Sequence, residues 1–132
     1  MSKICTDLEQ SKYLQSLGID INTADMFWDM AEPEERRMPT VGLISDYYDM
    51  EDWAIPAWSL SALLELIPPY LGEFKDGIDF GFSKSMNKKW YSAHYFQFDN
   101  SGLATFVKTV TGDTSIDAAF EMVVWLKENG KI

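Results

Sequence analysis

Cysteine, histidine and clustered bases are what this chain has least of, and each scarcity removes a class of chemistry. The 132 residues hold one cysteine, Cys5, which excludes an intrachain disulfide framework and a multi-cysteine zinc site. Its place ahead of a helical pattern suits a small, partly buried side chain better than a reactive thiol. The single histidine, His94, would have to serve any Ser-His-Asp or Cys-His arrangement. It sits mid-strand among aromatics, where a structural or merely exposed role is the simpler reading. There is no glycine-rich phosphate loop, no G-x-S-x-G elbow and no His/Cys cluster for a transition metal, so no cofactor is expected.

Long apolar runs are missing too. The longest, 54–67, is broken by Pro56 and stopped by Pro68-Pro69, short of the roughly 18–20 residues that span a bilayer. No apolar stretch follows Lys3, so no signal peptide is expected and the sequence reads as that of a cytoplasmic protein. What the chain has in surplus is acid: 21 Asp and Glu against 11 Lys and Arg, a formal charge of −10. Direct binding to nucleic acid or anionic lipid needs clustered bases and is disfavoured. Between Asp25 and Asp52 nine acids face two bases, Arg36 and Arg37. The one basic concentration is Lys84, Lys88 and Lys89, at an expected hairpin tip.

With 46% hydrophobic and 14% aromatic residues, a chain of this length is expected to fold as a single domain, 1–132. Thr6-Asp7-Leu8-Glu9 reads as a capping box opening a helix over about 7–17, with Gly18 as its left-handed stop. Asn22-Thr23 either caps a short helix through Met26 or turns the chain. The acidic stretch 29–52, interrupted by Pro33, Pro39 and Gly42, reads as an irregular surface loop partly pinned to the core. Leu60, Leu63, Leu64 and Ile67 repeat at helical spacing behind a Ser59 cap. Ile78–Phe82, Trp90–Phe98 and Leu103–Thr111, separated by short turns, read as an antiparallel meander. On its middle strand Trp90, Ser92, His94, Phe96 and Phe98 share one face, while Tyr91, Ala93, Tyr95 and Gln97 share the other. Thr114 caps a final helix with Ile116, Ala119, Phe120, Val123 and Leu126 on its apolar face, and Asn129-Gly130 stops it. The expected fold is α+β: a three-stranded antiparallel sheet with about three helices packed mainly on one face.

Carboxylates are the one reactive group in excess. Asp117 and Glu121, one helical turn apart, could share a hard cation with Asp113. The helix dipole explains Asp117, and an exposed face explains Glu121, without any metal. Asp46, Asp49, Glu51 and Asp52 lack the ligand spacing and turn glycine of a calcium loop, so no metal site is expected there either. Of the five tryptophans, Trp90 and Trp125 fit core or core-edge roles. Trp28, Trp53 and Trp58 flank the acidic stretch, as a hydrophobic clamp for it or as part of a binding surface.

Three stretches carry a family resemblance: Asn22 to Trp28, Ile55 to Pro68 and Asp117 to Gly130. In that order they resemble small uncharacterised acidic proteins encoded in phages, prophages and other mobile elements of gut Bacteroidetes. The resemblance implies a bacterial cytoplasm and a setting in element replication; it brings no catalytic residues with it.

These readings favour a non-enzymatic accessory with a protein partner. The expected contact surface is Tyr47, Tyr48, Asp49, Glu51, Asp52 and Trp53, where aromatic anchors stand among concentrated charge. One alternative is a DNA-mimicking inhibitor of a nuclease or DNA-binding protein, motivated by the net charge. Another is a carboxylate-metal hydrolase using Asp113, Asp117 and Glu121.

Overall fold

The computed structural model describes residues 3–42, 53–85, 87 and 89–132. Within them the chain is α+β, with three α-helices and two antiparallel sheets, one of three strands and one of four. It falls into two compact units, Met1–Leu64 and Glu65–Ile132. The expected single three-stranded sheet is therefore part of the answer: a second sheet lies in the N-terminal unit, and the meander gains a fourth strand.

Helix α1 (Leu8–Ser16) starts where the sequence places it, but with a different cap. Asp7, not Thr6, accepts from the Gln10 amide at 2.8 Å, and the Gln10 side chain accepts from the Asp7 amide at 3.1 Å. Thr6 is fully buried instead. Its amide donates to the Trp58 carbonyl at 2.9 Å, and its hydroxyl accepts from the Trp58 amide at 3.1 Å while lying 2.8 Å from Ser11 Oγ. The Thr6 carbonyl accepts from Trp28 Nε1 at 3.0 Å. A residue that satisfies four groups in the interior is not available to cap a helix facing water. Gly18 does close α1: at φ 85° it lets Ile19 and Gly18 donate back to the carbonyls of Leu14 and Gln15.

A single turn at Ile21–Thr23, capped by Asp20, leads into β1 (Met26–Asp29). Asn22-Thr23 thus turns the chain, and Met26 begins a strand. Strand β1 is the centre of the first sheet, with β2 (Pro39–Val41) on one side and β3 (Ala54–Ala57) on the other, both antiparallel to it. Proline occurs in both outer strands and not in the middle one, as expected of a residue that cannot donate to a ladder. Alternation along β1 sends Met26 and Trp28 to one face, with Cys5 and Ala57, and Phe27 to the other, with Ala54, Ile21 and Trp53. Helix α1 packs on β3. Part of the acidic stretch is thus ordered into a turn at Glu34–Arg36 and strand β2.

Helix α2 (Leu60–Leu66) begins at Ser59, whose hydroxyl accepts from the Ala62 amide at 3.2 Å. Asp25 holds that cap, accepting from both the Ser59 amide and its hydroxyl. In the C-terminal unit β4 (Tyr70–Leu71), β5 (Ile78–Lys84), β6 (Tyr91–Phe98) and β7 (Ala104–Gly112) follow one another across the sheet in chain order. The β6–β7 ladder pairs Tyr95 with Lys108 and then Phe96 with Phe106, leaving Val107 as a bulge. Helix α3 (Ser115–Glu128), capped by Thr114, packs against β6 and β7. Tyr95 is buried on that side, its ring 6.4 Å from Trp125 and its hydroxyl donating to the Pro68 carbonyl at 2.7 Å. Trp125 is half-buried, as a core-edge residue should be, whereas Trp90 precedes β6 and is exposed.

Thr6→Val isolates the polar role of Thr6, since it keeps the side-chain shape and removes the hydroxyl. The Trp58 amide and Ser11 then lose a partner in the interior, which should cost about 1–3 kcal/mol in denaturant titration. A change below about 0.5 kcal/mol would mean that the hydroxyl is dispensable.

Candidate functional site

A four-stranded antiparallel sheet needs its hydrophobic face covered, and α3 covers one face of this one. Strand alternation delivers Ala93 and Tyr95 to that side, both fully buried. The residues between them point the other way, as the sequence pattern implies. His94, Phe96 and Phe98 come from β6, and the bulge at Val107 places Phe106 of β7 beside them. Their rings form one cluster: His94 lies 5.2 Å from Phe106 and 5.6 Å from Phe96, and Phe96 lies 5.4 Å from Phe98 and 6.4 Å from Phe106. Most of these contacts are steep or edge-to-face, the arrangement aromatic quadrupoles favour.

The cluster is packed within itself yet open to solvent. Phe98 is 64% exposed and Phe106 57%, and the neighbouring Leu103 and Val107 are exposed as well. Apolar surface concentrated in this way marks contact sites more often than scattered exposed side chains do. Gly81 on β5, paired with His94, completes the geometry. A Cβ there would fall 2.5 Å from His94 Nε2 and 3.0 Å from Phe96 Cε1, so the absence of a side chain is what lets both rings lie down on the sheet. The β6–β7 turn is held by the Asp99 carboxylate, which accepts from the Ser101 hydroxyl and from the amides of Ser101 and Leu103. Those bonds, the Ser101 hydroxyl first, hold its carboxyl below the usual carboxylate value.

Of the residues expected to form a partner surface, Tyr47, Tyr48, Asp49, Glu51 and Asp52 lie outside the described residues. Trp53 is described. It is half-buried, packed on the Phe27–Ala54 cluster with its ring edge-on to Phe27 at 6.3 Å. Trp58 is fully buried and donates from Nε1 to Thr23 Oγ1 at 2.9 Å. Asp117 lies in the first turn of α3 and Glu121 on its exposed side. Among the described residues no three His, Cys, Asp or Glu side chains are gathered as cation donors, so Asp113, Asp117 and Glu121 are not brought together. Among the described residues no helix is long and apolar enough to cross a membrane. Burial, and to a lesser degree Asp25, pushes the Cys5 thiol up to about 11, which keeps it protonated and unreactive. The aromatic face was legible in part: alternation put His94, Phe96 and Phe98 together, but the bulge that recruits Phe106 leaves no mark in the sequence.

No family model, no curated protein and no solved structure matches the chain.

The face has a titratable member. Burial lowers the His94 imidazole below its ordinary 6.5, so the folded chain takes up this proton less readily than the unfolded chain. The stability this neutral imidazole confers is fully present above pH 6.5 and is lost as pH falls from there through the lowered folded-state value. Melting temperatures measured at about pH 7.5 and about pH 5.5 should differ less in His94→Gln than in the parent chain. Equal differences would place the imidazole in full contact with water.

Proposed function

We propose that this chain is a non-enzymatic protein-interaction module, and that its contact surface is the open aromatic face of β5, β6 and β7. The observation that supports this is the cluster of His94, Phe96, Phe98 and Phe106, assembled by strand alternation and a bulge and left exposed opposite the helix-covered face. The partner that suits it is an extended, basic segment of another protein. Aromatic faces attract guanidinium groups, and a chain of formal charge −10 draws a cationic partner toward it. The resemblance of its three sequence stretches supports a setting as an accessory of a phage or other mobile element.

A library of extended peptides varying in Arg, Lys and aromatic content tests the surface directly. Selection should favour Arg-bearing apolar segments, and Phe98→Ser with Phe106→Ser should abolish it while leaving the melting temperature nearly unchanged, because both rings are largely exposed. Selection that survives the double substitution, or no selection, would remove this face from consideration.

A second reading rests on a separate observation. Residues 1–64 hold twelve acids against four bases, whereas residues 65–132 hold nine against seven. Acid concentrated in this way supports the DNA-mimic alternative, in which charge reversal at Asp29 and Glu32 would relieve inhibition of a basic nuclease and the phenylalanine changes would not.

The carboxylate-metal hydrolase reading makes a different demand. A specific cation site with a Kd near ~10 μM would add about 2.7 kcal/mol at ~1 mM metal, a shift of several degrees in melting temperature. Melts in EDTA and in added Mg²⁺, Mn²⁺ or Ca²⁺ should instead coincide; a shift abolished by Asp117→Asn would favour the hydrolase.

A further inference from the structure

A second feature, in the N-terminal unit, has a chemistry of its own. An open cleft of about 510 Å³ lies between the segment that precedes α1 and the edge of the first sheet. Its apolar wall is Ile4, Trp28, Met38 and Pro39. Trp28 is fixed there by the bond from its Nε1 to the Thr6 carbonyl, so the indole is a preformed wall. Met38 is 70% exposed, an unusual cost for a side chain whose one neighbour on β2, Pro39, also lines the cleft.

The charges at the cleft run against the rest of the unit. Residues 1–64 carry twelve acids and four bases, yet two of those four bases, Lys3 and Arg37, line this cleft together with one acid, Asp7. Lys3 and Asp7 pair with each other at 3.3 Å, which leaves Arg37 as the excess charge. Half-buried Arg37 spends its Nε on the Glu32 carbonyl at 3.1 Å, a bond that orients the guanidinium. Among the described residues it makes no ion pair. A cleft of this volume is within the range of small-molecule sites, which are mostly apolar with a few placed polar groups.

We propose that this cleft binds a small amphipathic anion: a planar aromatic or short aliphatic body against Trp28, Met38 and Ile4, and a single carboxylate or sulfonate on Arg37. The guanidinium fork suits such a head group, and its oriented Nε lowers the ordering cost of binding. The surrounding acid makes the site selective, since a polyanion would meet repulsion from the rest of the unit while a singly charged ligand meets one excess cation. Every residue lining the cleft belongs to the N-terminal unit, whereas the aromatic face belongs to the C-terminal one.

Two probes with the same aromatic body test this in the full chain: anilinonaphthalene sulfonate, and N-phenyl-naphthylamine, which lacks the sulfonate. Binding is read by two-dimensional ¹H–¹⁵N NMR from the Trp28 indole N–H signal, assigned by its loss in Trp28→Phe. The sulfonate should shift that signal saturably and bind more tightly than the neutral probe. Arg37→Gln should weaken the sulfonate roughly tenfold, as loss of a charge-assisted hydrogen bond does, and leave the neutral probe unchanged. Arg37→Lys should restore part of the affinity, and Met38→Asp should weaken both probes. The proposal fails if the Trp28 signal does not move, if the two probes bind alike, or if Arg37→Gln leaves sulfonate affinity as it was. It fails equally if Phe98→Ser with Phe106→Ser, and not the Arg37 and Met38 changes, removes the binding.

Discussion

The N-terminal unit depends on one polar contact, between Thr6 and the backbone of Trp58. These residues are 52 apart in sequence, and their amides are exchanged through one carbonyl and one hydroxyl. With the Trp28 indole bond to the Thr6 carbonyl and the packing of Cys5 on Met26 and Ala57, that tie holds the segment before α1 against a sheet whose strands are only three or four residues long. Sheets this small hold together through what they pack against. The same junction is braced from its other side, where Asp25 holds Ser59 and Thr23 holds the Trp58 indole. Every buried side-chain polar atom among the described residues has a partner, so this interior is polar without being unsatisfied.

The C-terminal unit is organised on a different principle. Its strands follow one another in the chain, three of the four running seven to nine residues, so the sheet forms from sequence neighbours and α3 closes one face of it. Helix α3 ends as α1 does: Lys131 and Gly130 donate back to the carbonyls of Leu126 and Lys127, with Gly130 at φ 68°. The open face follows directly from this economy. One helix cannot cover both sides of a sheet, and β6 supplies aromatic residues to both.

This difference decides what was legible in the sequence. Alternation over Ile78–Phe82 and Trp90–Phe98 is long enough to show a period, and the meander, both faces of β6 and the caps of α2 and α3 could be read from it. Strands β1 to β3 could not be read so, because three or four residues show no period and their pairings, such as Met26 with Ala57, are non-local. Thr6 misled for a related reason. Its sequence context is that of a capping residue, and only the tertiary structure reveals that its hydroxyl is needed inside. Part of the candidate site was legible as an aromatic alternation, but its fourth ring depends on a register shift. The cleft was not legible at all, since Lys3, Trp28 and Arg37 are brought together by the fold and share no motif.

The bulge at Val107 also bears on how this strand can vary in length. An unpaired residue in β7 is a store of register: Tyr95 keeps Lys108 and Phe96 keeps Phe106, whether or not a residue stands between them. Loss of one residue at that point converts the ladder to a regular one and leaves every other pairing in place. In β5, where pairing is continuous from Asp79 to Lys84, the same loss would turn the residues on one side of the gap onto the opposite face. Among related chains, insertions and deletions should therefore accumulate at this point of β7 and be rare in β5.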